Sequence, residues 1–398
     1  MLESHCMSKN KKGVRNTLMD ILAKELPKMK KFNDYIIDVN KANFPITLSG
    51  LSDSQKSHFI YATRFYTEKP MLIVTYNELE LKKFKEDMKF FSDESVLVYP
   101  KREPIYYDID TTNKDATMDR LKIYTKLYNN ESCVILTTIE ALMQKTISKD
   151  KLFTKVIQLE NGTSILLETL TNELIELGYE RTDMVEGRGQ FSVRGGIIDV
   201  FPLTTKDPVR IEFWGDEVDS IRVFDVESQR TIEAISEINI FPAEEFLIER
   251  EKLESIADKI LEKYPNAIAD TDVIKHGNYL TKIDKYFEFF YDETSTLINY
   301  LLKDTVIFLD EPARINSKCQ SIEYDNKEFV EAFLDKNKIV PSYTNSMATN
   351  IDMILTLEKQ NLINLERVDI NTHAKRNGYS FSCREVNFFR GSMDIFVQ

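Results

Sequence analysis

Two groups of residues in this 398-residue chain have types and spacings that could do chemistry. The first is the loop Gly50-Leu51-Ser52-Asp53-Ser54-Gln55-Lys56-Ser57, together with Asp310-Glu311 at the end of the apolar run Thr305 to Leu309. Such a loop holds a nucleotide when backbone amides close around phosphate, the Lys reaches the terminal phosphates and the hydroxyl touches magnesium. A carboxylate pair ending a strand supplies the magnesium-holding Asp and the catalytic Glu of nucleotide hydrolases. Here the loop is degenerate. Gln55 stands where the pattern needs Gly before Lys, and Asp53 puts a negative charge inside the anion cradle. The expectation is a vestigial nucleotide site of Gly50, Lys56, Ser57, Asp310 and Glu311, with no catalytic residue, no metal site and no cofactor for this segment. Asp-Glu-Pro after a strand is equally an ordinary turn.

The second group is Arg194, Arg210 and Trp214. Val209, Ile211 and Phe213 alternate with Arg210, Glu212 and Trp214, the period-two pattern of a half-buried strand. With the first set facing the core, the single Trp faces outward. Gly215-Asp216 supplies a tight turn, and Val218 to Val226 returns as the second strand of a hairpin. Upstream, Phe191 to Phe201 reads as one further strand, interrupted at Arg194-Gly195-Gly196 by a bulge that would set Arg194 beside Arg210. Exposed aromatic and Arg clusters are common interface anchors. A Trp beside Gly at a strand end also packs simply over the hairpin edge, so both readings stand at this point.

Around these groups the chain alternates strands and helices. Val14 to Lys31 has helical spacing, with Leu18, Ile21, Leu22 and Leu26 on one side. Strands at Ile46 to Leu48, Met71 to Tyr76, Val96 to Tyr99 and Cys133 to Thr138 are separated by helices at Lys56 to Thr67, Glu78 to Phe91 and Ala116 to Tyr128, which predicts a parallel sheet covered by helices. A helix at Glu249 to Glu262 and the strand Thr305 to Leu309 resume that pattern, and Tyr379 to Ser382 and Glu385 to Phe389 add strand-like runs. Lys56 and Asp310 then fall in one sheet split by an insert. The expected organisation is 1–152 as the first segment of the α/β domain, with 1–12 disordered and Met7 an alternative start, 153–246 as the inserted α+β domain, and 247–398 as the second segment.

Fifty-two Lys and Arg against 65 Asp and Glu give a net charge of −13, which argues against autonomous DNA binding through a basic face. Cys6, Cys133, Cys319 and Cys383 show no metal or disulfide spacing, and the four His are equally scattered. Without a membrane-length apolar run or the apolar centre of a secretion signal, the expected compartment is the cytoplasm.

The strings VRGGIIDVFP, VRIEFWGDEVDSIRVFD, SQRTIE and IFPAEEF occur in the order found in the second domain of the excinuclease subunit UvrB and of the bacterial transcription-repair coupling factors, and the stretch Arg181 to Phe246 resembles that domain. The resemblance implies a docking surface for UvrA, the damage-recognition subunit of nucleotide excision repair, with its contacts at Arg194, Arg210 and Trp214, the last usually Phe in the family. It also implies a RecA-like parallel-sheet domain split by that insert. Two departures separate the chain from UvrB: the loop is degenerate, and only ten residues lie between Tyr106-Tyr107-Asp108 and Asp119-Arg120-Leu121, where UvrB accommodates a DNA-clamping hairpin. The chain thus resembles the N-terminal portion of a coupling factor, an adaptor without ATPase activity whose parent translocates on double-stranded DNA using ATP and magnesium in motor domains and binds RNA polymerase elsewhere. The alternative is a divergent UvrB-like ATPase using Lys56, Ser57, Asp310 and Glu311.

Overall fold

The computed structural model describes residues 23–91, 96–102, 114–334, 339–368 and 377–383. The expectations for the 1–12 leader, Met7, Leu18, Ile21, Leu22, Tyr106-Tyr107-Asp108 and the 385–389 strand lie outside the described residues.

Apolar, β-branched runs flanked by helical stretches build an all-parallel seven-stranded sheet. Its spatial order is Gly378–Ser380, Ile46–Ser49, Asn361–Glu366, Val306–Asp310, Met71–Thr75, Val134–Thr138 and Leu97–Tyr99. Successive residues of one strand point to opposite faces, so each central strand feeds two cores. Met71, Ile73, Val306 and Phe308 join one, and Leu72, Val74, Ile307 and Leu309 join the other. Burial on both faces explains why these strands read as continuous apolar runs. Four strands precede the insert in sequence and three follow it, and Val306–Asp310 lies directly beside Met71–Thr75.

The insert is a six-stranded sheet in the order Thr231–Ile235, Glu217–Phe224, Val209–Trp214, Ile197–Val200, Gln190–Arg194 and Glu180–Arg181, with a smaller pair of Ile157–Glu160 and Glu237–Ile240 beside it. One face packs Phe191, Ile198, Val200, Val209, Ile211, Val218 and Ile221 against Leu170 and Leu174 of the helix Leu167–Glu176. Two expectations need correction. Arg194-Gly195-Gly196 is not a bulge within one strand but the start of a reversal between two. Gly195 takes φ +59, and Val193 pairs with Ile198 and Arg194 with Ile197 across the new hairpin. The helix read from Val14 also fails to run on to Lys31, because the chain tightens into a 3₁₀ turn at Leu26–Lys28 around Pro27 and a new helix starts at Lys30.

Candidate docking face and a closed nucleotide cradle

On the outward face of the insert, strand pairing fixes which side chains meet. Arg210 lies opposite Asp199 on one side and Arg222 on the other, and Ser192 lies opposite Asp199. The Asp199 side chain is 1% exposed and sits between two arginines. Arg210 donates from Nε at 2.7 Å and from Nη2 at 2.8 Å, and Arg194 donates from Nη2 at 2.8 Å. The Arg210 guanidinium also lies 4.6 Å from the ring centroid of buried Phe224 and donates to Gln229 Oε1 at 3.3 Å. These hydrogen bonds to Asp199 raise the Arg210 pKa, so the charge is fixed. The resemblance assigns both arginines to contacts with a partner. Instead both first converge on an internal carboxylate, and they are unequal, since Arg194 is 51% exposed and Arg210 20%.

Trp214 lies on the same side as Arg210 and Glu212, at the end of its strand, and is 84% exposed. That overturns the reading in which it packs over the hairpin edge. Gly215 at φ +64 turns the chain beside it. The structure therefore places Arg194, Arg210 and Trp214 on one face of one sheet. Asp199, which organises the two arginines, was missed. Its signal was a lone carboxylate among Ile197, Ile198 and Val200, an expensive residue to bury unless charge-paired.

The loop after Ile46–Ser49 is built differently from a phosphate cradle. The helix starts at Asp53, three residues earlier than expected, because Ser52 and Gln55 close a capping box in which the Ser52 N–H donates to Gln55 Oε1 at 2.9 Å. Amides that would receive phosphate are thus capped from within. Gly50 takes φ +77, and a Cβ there would lie 2.0 Å from the Phe381 carbonyl oxygen, so the segment after Gly378–Ser380 crosses directly over the loop. Phe381 donates its N–H to the Ser49 carbonyl at 2.9 Å and packs edge-on against Phe59.

Lys56 and Ser57 stand where the loop pattern has its phosphate and magnesium contacts, and both are committed elsewhere. The Lys56 ammonium, 4% exposed, donates to Asp310 Oδ1 and Glu311 Oε1, each at 2.7 Å. Burial works against that ammonium, but the two carboxylates outweigh it and raise the Lys56 pKa. The Ser57 hydroxyl donates to Asp87 Oδ2 at 3.1 Å. Asp310 and Glu311 both meet Lys56, and Glu311 at φ +56 turns the chain into the helix Pro312–Leu334, as in the turn reading of Asp-Glu-Pro. Among the described residues no cluster of His, Cys, Asp and Glu could hold a metal ion, and Cys133, Cys319 and Cys383 are free thiols. No helix among them is long and apolar enough to cross a membrane.

The insert's exit is anchored in the main core by an ion pair that sequence reading also missed. Glu245 is buried and accepts Arg120 Nε and Nη2, each at 2.7 Å, the Thr146 hydroxyl at 2.6 Å and the Tyr124 hydroxyl at 3.1 Å. Burial alone would raise the Glu245 carboxyl, but Arg120 and Arg102 outweigh it and hold the pKa below the ordinary value.

Residues 157–246 match the UvrB interaction domain family. The chain is 30% identical to the transcription-repair-coupling factor of Bacillus subtilis (strain 168) over 87% of its own length and 31% of that protein. It is 26% identical to that of Staphylococcus aureus (strain bovine RF122 / ET3-1) over 95% of its length and 33% of the relative, and 27% identical to that of Staphylococcus haemolyticus (strain JCSC1435) over 88% and 31%. The chain thus spans about a third of the length of the relatives it matches. With a UvrB interaction domain set into its split parallel sheet, the chain matches the N-terminal, UvrB-homologous region of the bacterial transcription-repair-coupling factors.

Proposed function

We propose that this chain is the recruiting part of a coupling factor, an adaptor that brings UvrA to lesions where RNA polymerase has stalled, and that it hydrolyses no ATP itself. The observation that carries the reading is Trp214, 84% exposed on the face that also holds Arg194 and Arg210. A bare indole on a face that also carries guanidiniums is costly to leave in water and suited to anchoring in a partner's pocket. Its place in a matched UvrB interaction domain favours UvrA as that partner. Polymerase binding, movement on double-stranded DNA and the use of ATP with magnesium would belong to the remainder of a full-length factor.

The alternative, a UvrB-like ATPase, requires Lys56 to leave two carboxylates and Phe381 to leave Gly50 before a phosphate could enter. Two titrations separate the readings. The adaptor gives a saturable complex with UvrA and no heat with magnesium ATP. Magnesium-dependent nucleotide binding that is abolished by Lys56→Ala, without UvrA binding, would establish the ATPase instead.

A further inference from the structure

The outward face carries a third arginine. Arg222 lies directly across the antiparallel ladder from Arg210, on the side away from Asp199. Like charges placed opposite one another on neighbouring strands repel. Each of these guanidiniums is given its own carboxylate. Arg210 takes Asp199, while Arg222 Nη2 lies 3.2 Å from Glu212 Oε2, which also accepts the Ser220 hydroxyl at 2.9 Å. The Arg222 side chain is 41% exposed, and its neighbour on the edge strand is Ala234, too short to cover it. The sheet's core lies on the other face, so packing gives no reason for a charge here.

We propose that Arg222 is the third cation of the docking face. The footprint then runs from Arg194 through Arg210 to Arg222, with Trp214 beyond Glu212. Asp199 is sunk between the first two arginines, and Glu212 and Glu217 lie towards the Trp214 end. The partner that fits is a protein surface with carboxylates ranged beside an apolar pocket. On a chain of net charge −13 these three arginines offset the neighbouring Asp199, Glu212 and Glu217, so an acidic partner is repelled less here than elsewhere and is oriented towards this face. The inference rests on the adaptor reading and extends its site across one more strand.

Calorimetric titration of UvrA with the full chain carrying Arg222→Ala, at two salt concentrations, tests it. The expected result is affinity weakened about five-fold with a shallower salt dependence, as for a rim charge. The melting temperature should be unchanged or raised, because the opposed arginines are relieved. Wild-type affinity, or a loss that merely tracks a lowered melting temperature, would overturn the proposal. So would weakened retention of duplex DNA with UvrA affinity intact. Arg194→Ala/Trp214→Ala distinguishes the failures. If that variant also binds like wild type, the adaptor site is wrong, whereas if it alone loses binding, only the part given to Arg222 is wrong.

Discussion

Trp214 and Asp199 contribute to the docking face in opposite ways. The indole touches little of its own chain, so Trp214→Ala should change stability by less than about 0.5 kcal/mol in denaturant titration. Asp199 is buried under two guanidiniums, and Asp199→Asn removes the charge that holds both. It should destabilise the insert by about 1.5–3 kcal/mol, the range for hydrogen bonds to charged groups, measured in the same way. A variant as stable as wild type would show that the ion pairs do not order this face. Arg210→Ala would likewise leave Asp199 with Arg194 alone, so the cleaner binding variants are Arg194 and Trp214. Period-two alternation made the outward set Arg210 and Trp214 legible from sequence. Which carboxylate would meet the arginines was not, because pairing between strands is set by register and not by neighbours in the chain.

At the scale of elements, a loop resembling a nucleotide site has become a structural joint. Lys56→Met would leave Asp310 buried without its cation, at a cost of about 3–5 kcal/mol by the measure of broken buried pairs, readable as a lower denaturation midpoint. Gly50→Ala should also destabilise, since φ +77 and the Phe381 carbonyl leave no place for a methyl group. Unchanged midpoints would mean that the loop opens readily, contrary to this packing. The missing Gly before Lys56 was legible in the sequence. Ser52-x-x-Gln55 was also a readable capping box. That Phe381 would cross above Gly50 required contact between positions more than 300 residues apart, which no local pattern encodes.

At the scale of the molecule, the Arg120–Glu245 pair joins the helix Lys114–Tyr128 to the insert's exit. Because the folded-state pKa of Glu245 is depressed, its contribution is fully present above the unfolded glutamate value of about 4.3 and is lost as pH falls from there through the folded value. Thermal melts from about pH 6 down to about pH 3, which bracket the unfolded value, should show stability falling in wild type, and a shallower fall from a lower starting point in Glu245→Gln. Equal slopes would remove Glu245 from the acid response. Alternating strands and helices made the parallel sheet legible, and the switch to dense hairpins marked the insert. The strand order was not legible, because the insert separates sheet neighbours such as Met71–Thr75 and Val306–Asp310.

Whether this face grips UvrA is read most directly by calorimetric titration of UvrA with wild type and with folded Arg194→Ala/Trp214→Ala. Loss of an anchor of this kind typically costs at least about 2 kcal/mol, so the affinity should fall by tens-fold or more with the melting curve unchanged. Wild-type affinity in the folded double variant would contradict it.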